Sequence, residues 1–97
     1  MTIWFVSRHP GAVEWARRRG IRYDCQVPHL DPVNVAAGDK VIGSLPVNLV
    51  ATVCERGAEY WNLSLRVDSV DRGRELSADD LDRYHAAIER YHVRRSS

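Results

Sequence analysis

Apolar positions along this chain come in short blocks, and two of the blocks empty into similar polar turns. The run Thr2-Ile3-Trp4-Phe5-Val6 leads into Ser7-Arg8-His9-Pro10-Gly11, and Lys40-Val41-Ile42 leads into Gly43-Ser44-Leu45-Pro46. A helix-like pattern follows each turn. The first starts at Pro10, where a missing N–H costs nothing, and carries Ala12, Val13 and Ala16 on one side before Arg17-Arg18-Arg19-Gly20 stops it. The second starts at Pro46, buries Leu49, Val50 and Val53, and stops at Gly57. Strands are expected at about 2–6, 21–27, 40–43 and 60–65, with residues 33–39 as a turn. Ser77 with Asp80 forms a capping-box signature, and Leu76 with Leu81 a hydrophobic staple. Leu81, Tyr84, Ile88 and Tyr91 then recur at helical spacing, which predicts a long third helix carrying His85 and His92 on one face.

This order predicts an α/β fold: one minimal Rossmann-like domain over residues 1–97, three-layered, with a mainly parallel sheet of about four strands and three helices. In an open α/β sheet, ligands bind outside the carboxyl ends of the strands. Turns between a strand and a helix start also offer backbone N–H groups and a positive dipole end to an anion. Ser7, Arg8 and His9 are the most reactive-looking cluster there, which reads as an anion- or nucleotide-handling site. Gly-x-Gly-x-x-Gly is absent, so no dinucleotide cofactor is indicated.

Composition narrows this picture. A chain of 97 residues has a small core and is a candidate for homodimerisation. The net charge of +1 gives no track for long nucleic acid, although Arg8, Arg17, Arg18, Arg19 and Arg22 outnumber the acids of the first thirty residues. No apolar run approaches the ~20 residues of a membrane span, and the N-terminus has no basic-then-apolar signal. The expectation is a cytoplasmic protein without a membrane partner. Cys25 and Cys54 lack metal-ligand spacing and read as small buried hydrophobes. No metal site is expected; His85 and His92 lack a third ligand.

The run Trp4-Phe5-Val6-Ser7-Arg8-His9-Pro10-Gly11-Ala12 resembles the start of a small CRISPR-associated family, the Csx family numbered sixteen. So do His29-Leu30-Asp31-Pro32, the block from Val41 to Leu49, and Arg72-Gly73-Arg74-Glu75-Leu76-Ser77-Ala78-Asp79-Asp80-Leu81. The blocks keep their order over nearly the whole chain. The resemblance implies an accessory protein of type III CRISPR systems, which signal with cyclic oligoadenylates. It also implies a CARF-like version of the fold and a ring nuclease that opens the cyclic messenger, with cyclic tetra-adenylate as ligand, and so switches the response off.

Such an enzyme needs no cofactor and no metal if the ribose 2′-OH attacks its own phosphorus and the 5′-oxygen leaves. Under this reading Arg8 clamps a phosphate through its planar fork. Ser7 either donates to a phosphate or caps the turn. His9 either transfers a proton or shapes the turn before Pro10. Gly43, Ser44 and Leu45 bring backbone close to the ligand, or Gly43 only permits a tight turn. Asn48 reads an adenine edge or a ribose, or faces solvent. Arg72, Arg74 and Glu75 cover the ligand, reach across a dimer, or form a local ion-pair network. Arg17, Arg18 and Arg19 read as a solvated helix end, and Trp15 and Trp61 as core or interface anchors. A two-fold dimer would set two copies of the 7–9 and 43–48 loops around one ring. The competing readings are a cyclic-nucleotide sensor or sponge that does not cut, an interaction protein of the CRISPR effector complex, and a general ribonuclease.

Overall fold

The structure is a computed structural model that describes residues 1–67 and 73–96. Five strands form one sheet in the order β2-β1-β3-β4-β5. These are β1 (Ile3–Val6), β2 (Cys25–Val27), β3 (Lys40–Gly43), β4 (Glu59–Ser64) and β5 (Ala87–Tyr91), and the helices are α1 (Pro10–Arg18), α2 (Val47–Glu55) and α3 (Ala78–Arg83). A 3-10 turn, Pro32–Asn34, precedes β3. The first four strands pair in parallel and β5 pairs antiparallel to β4.

The apolar runs are nearly continuous because both faces of the central strands are covered. Phe5 stands beside Ile42 in register, and both pack with Ala12, Trp15 and Ala16 of α1 and Leu81 of α3. Trp4, Val41 and Tyr60 share the opposite face with Val50 and Val53 of α2. Helices α1 and α3 therefore cover one face and α2 the other. The arginine run closing α1 ties the first two together: Arg18 bonds Asp79 at 2.7 Å and Arg19 bonds Asp82 at 2.8 Å, while Arg17 pairs with Glu14. Sequence alone reads this run as a solvated helix end; two of its three arginines bridge helices. Trp15 is a core anchor, and its indole N–H donates to Asp82.

Three expectations need correction. The sheet has five strands rather than about four. Strand two is confined to Cys25–Val27, although Ile21 and Tyr23 still pack on the core. The third helix ends at Arg83 instead of continuing to Tyr91. Its capping box forms as read, but His85 takes a φ of 56° and turns the chain back. Ala87–Tyr91 then pairs with β4, Tyr91 opposite Tyr60. The outer edge of β4 would otherwise leave a row of unpaired backbone groups, and satisfying it outweighs the helical periodicity of Tyr84, Ile88 and Tyr91. His85 and His92 accordingly share no helix face.

At the opposite end of the sheet from the site, Asp39 is buried. Its carboxylate accepts N–H bonds from Ala36 and Thr2 at 2.9 Å each and from the Trp4 indole at 3.2 Å. The Ala36 and Thr2 bonds hold its carboxyl below the ordinary Asp value. A depressed pKa contributes stability that is present above the unfolded-state value and lost as pH falls through the folded one. Urea midpoints are therefore expected to drop steadily in the acid range below the ordinary Asp value. Asp39→Asn is expected to lose about 1–3 kcal/mol near neutrality, because its amide N–H₂ faces donors, and to show a flatter acid limb. Equal acid limbs in the two proteins would contradict this role.

Candidate functional site

Strand β2 lies on one side of β1 and β3 on the other, so the chain reverses its direction of travel across the sheet between β1 and β3. In this architecture such a switch point opens a crevice at the carboxyl ends of the strands. A cleft of about 660 Å³ occupies that place. Its apolar wall includes Leu45, Leu49, Leu63, Leu65 and Leu76, and its polar lining is Ser7, Arg8, His9, His29, Ser44, Arg74 and Glu75. The volume is in the range of ordinary small-ligand sites, roughly 300–1,000 Å³.

The turn after β1 is fastened tightly. Ser7 N–H donates to Val27 O at 2.9 Å, the Gln26 amide donates to Ser7 O at 2.6 Å, and Ser7 Oγ accepts His9 N–H at 3.1 Å. Ser7 thus caps the turn, and its own hydroxyl proton is left to donate. His9 O takes the N–H groups of Ala12 and Val13 and so starts α1. The His9 ring is exposed, with Nδ1 at 3.9 Å from Glu75 Oε1. Arg8 is exposed on the cleft and makes no hydrogen bond or ion pair among the described residues. Most other arginines around α1 and α3 are paired, so Arg8 stands out as a cation with unused donors at a strand end.

The turn after β3 is held by a phenol that pattern reading placed only in a strand. Tyr60 is buried. Its hydroxyl accepts Leu45 N–H at 3.0 Å and lies 2.9 Å from Gly43 O and 2.6 Å from Asn62 Oδ1. Burial pushes the phenol above its ordinary value, so it stays a neutral hydroxyl. Ser44 Oγ donates to Leu63 O at 3.0 Å, which ties the turn to β4. Gly43 is required by packing within the sheet. A Cβ there would sit 2.8 Å from Val6 O, so the close approach it permits is to β1. Tyr60→Phe is expected to lose about 1 kcal/mol and to speed hydrogen exchange at the Leu45 amide. Unchanged exchange there would remove the phenol from this role.

Residues 73–77 close the third side. Gly11 of α1 lies so close beneath them that a Cβ would fall 2.0 Å from Leu76 O. Arg74 donates to Asp80 Oδ2 at 3.1 Å and approaches Glu75 O at 3.4 Å. Asp80 is held well below the usual carboxylate range, first by Arg74 and then by Ser77 N–H and Arg83. The ion-pair network around the cap is therefore real, while Arg74 and Glu75 also line the cleft. Leu45 lines it with Ser44 and Gly43. Asn48 does not line it; it is exposed on the first turn of α2. Arg72 lies outside the described residues. His29, after β2, does line the cleft and was singled out only through the resemblance of its block. Among the described residues no group of three or more His, Cys, Asp or Glu is placed to hold a metal ion, and no helix is long and apolar enough to cross a membrane.

The molecule is thus a three-layered α/β protein with a polar-rimmed, leucine-walled cleft at its sheet's switch point. The family described as "Putative CRISPR-associated protein (Cas_VVA1548)" matches residues 4–94, nearly the whole chain, and the protein belongs to that family. No curated protein and no solved structure matches it.

Proposed function

We propose that this CRISPR-associated protein is a ring nuclease that binds a cyclic oligoadenylate, cyclic tetra-adenylate first, and opens it by attack of a ribose 2′-OH on the adjoining phosphodiester. The observation that carries this reading is Arg8, a guanidinium without a hydrogen-bond or ion-pair partner among the described residues, on the rim of a leucine-walled cleft. Its planar fork suits phosphate oxygens, and leucine side chains suit the flat faces of adenine.

Bond exchange within the ring needs no external nucleophile. The protein has to hold the 2′-oxygen in line with the leaving 5′-oxygen, offset phosphoryl charge and move one proton each way. In-line positioning contributes several kcal/mol, and one aimed donor contributes roughly 3 kcal/mol. Arg8 supplies the donor, the starts of α1 and α2 add positive dipole ends nearby, and His9 beside Glu75 supplies a proton-transfer group. A cleft of about 660 Å³ suits one or two nucleotides rather than a ring of four. Two clefts facing across a two-fold axis would enclose the ring, and sedimentation with ligand is expected to show a dimer.

Substrate preference tests this reading. Cyclic tetra-adenylate is expected to be opened much faster than linear oligoadenylate of the same length is cut. Equal rates on both would favour a general ribonuclease, and stoichiometric binding with the ring recovered intact would favour a sensor or sponge.

A further inference from the structure

We propose that His29 is a second catalytic histidine, the base that takes the 2′-hydroxyl proton, and that His9 is the acid that protonates the leaving 5′-oxygen. The proposal rests on the ring-opening reading above and deepens it. Strands β1 and β2 are parallel neighbours with Val6 opposite Val27. The loops leaving them are bonded at their roots, Ser7 N–H to Val27 O at 2.9 Å and the Gln26 amide to Ser7 O at 2.6 Å. His9 and His29 each stand two residues beyond that Ser7–Val27 bond, on chains leaving the sheet in the same direction. Both line the same cleft.

Among the described residues, the charged and titratable groups that line this cleft are Arg8, His9, His29, Arg74 and Glu75. Arginine stays protonated and cannot shuttle. Imidazole is the side chain that both accepts and gives a proton near neutral pH, and the cleft holds two. Glu75, 3.9 Å from His9 Nδ1, offsets the charge of a protonated His9, which assigns the acid to His9. His29 has no hydrogen-bonded or ionic partner among the described residues and is left to accept.

The step balances without water. The 2′-oxygen forms a bond to phosphorus as the bond from phosphorus to the 5′-oxygen breaks. The 2′-hydroxyl proton goes to His29, and a proton from His9 goes to the 5′-oxygen. The product carries a 2′,3′-cyclic phosphate and a free 5′-hydroxyl, and the two imidazoles return to their starting states by exchange with solvent.

The test compares wild type, His29→Ala and His9→Ala on cyclic tetra-adenylate across pH, with ring affinity measured separately. His29 is exposed, so the variant should fold, and circular dichroism checks it. His29→Ala is expected to lower kcat about 100-fold, to leave ring affinity within about twofold, and to lose the rising acid limb of the pH–rate profile. His9→Ala is expected to lose the falling alkaline limb instead. A His29→Ala kcat within about threefold of wild type, or a loss with both limbs kept, overturns the proposal while the ring-opening reading stands. A wild type that opens no ring overturns both.

Discussion

Arg8→Ala is expected to lower ring opening by about 100- to 1,000-fold, the cost of removing one well-aimed donor from a developing phosphoryl charge. The same substitution should leave the urea midpoint almost unchanged, because Arg8 is exposed and makes no hydrogen bond or ion pair among the described residues. Arg8→Lys should recover only part of the activity, since an ammonium offers a point charge rather than a fork. Affinity for the ring should weaken as salt rises in wild type and respond less in Arg8→Ala. Turnover by Arg8→Ala within about threefold of wild type would remove Arg8 from the phosphate and would leave the cleft without its assigned anchor.

Gly11→Ala is expected to produce the largest loss of stability from a single methyl group. The added Cβ would lie 2.0 Å from Leu76 O and 3.0 Å from Ser77 Cα. Those are backbone atoms, so no side chain can turn aside to make room. Helix α1 and the start of α3 must separate, which strains a core built from Ala12, Trp15, Ala16 and Leu81. Overpacking of this kind costs about 3 kcal/mol, a large share of the ~5–15 kcal/mol that holds a small domain together. Because residues 74–76 line the cleft, turnover should fall as well. An unfolding midpoint within error of wild type would mean that these elements separate freely.

The central strands were legible because each is an apolar run covered on both faces: β1, β3 and β4 fall within about a residue of their expected ends. Helix starts were legible through local chemistry, Pro10 at a first turn and Ser77 with Asp80 as a reciprocal cap. β5 was not. Tyr84, Ile88 and Tyr91 carry a helical period, and only the unpaired edge of β4, a feature of the assembled sheet, converts that segment into a strand. The chain turns into β5 at His85, whose positive φ His tolerates better than most residues.

The site was legible where it depends on strand ends. Residues 7–9 and 43–45 meet at one cleft because β1 and β3 are neighbours, and two strand–turn–helix junctions in a short α/β chain point there. Three parts were not legible. Tyr60 acts across the sheet, so its role depends on register. Gly43 answers to Val6 on the next strand, a close approach that depends on register. His29 follows a strand that sequence reading draws too long, and only the resemblance of its block marks it.

The most direct test of the central claim is to mix the purified protein with cyclic tetra-adenylate in excess EDTA and separate the products by chromatography coupled to mass spectrometry. Linear oligoadenylates ending in 2′,3′-cyclic phosphate, formed by wild type and nearly absent with Arg8→Ala, are the predicted result. A ring recovered intact after prolonged incubation with excess wild-type protein would contradict it.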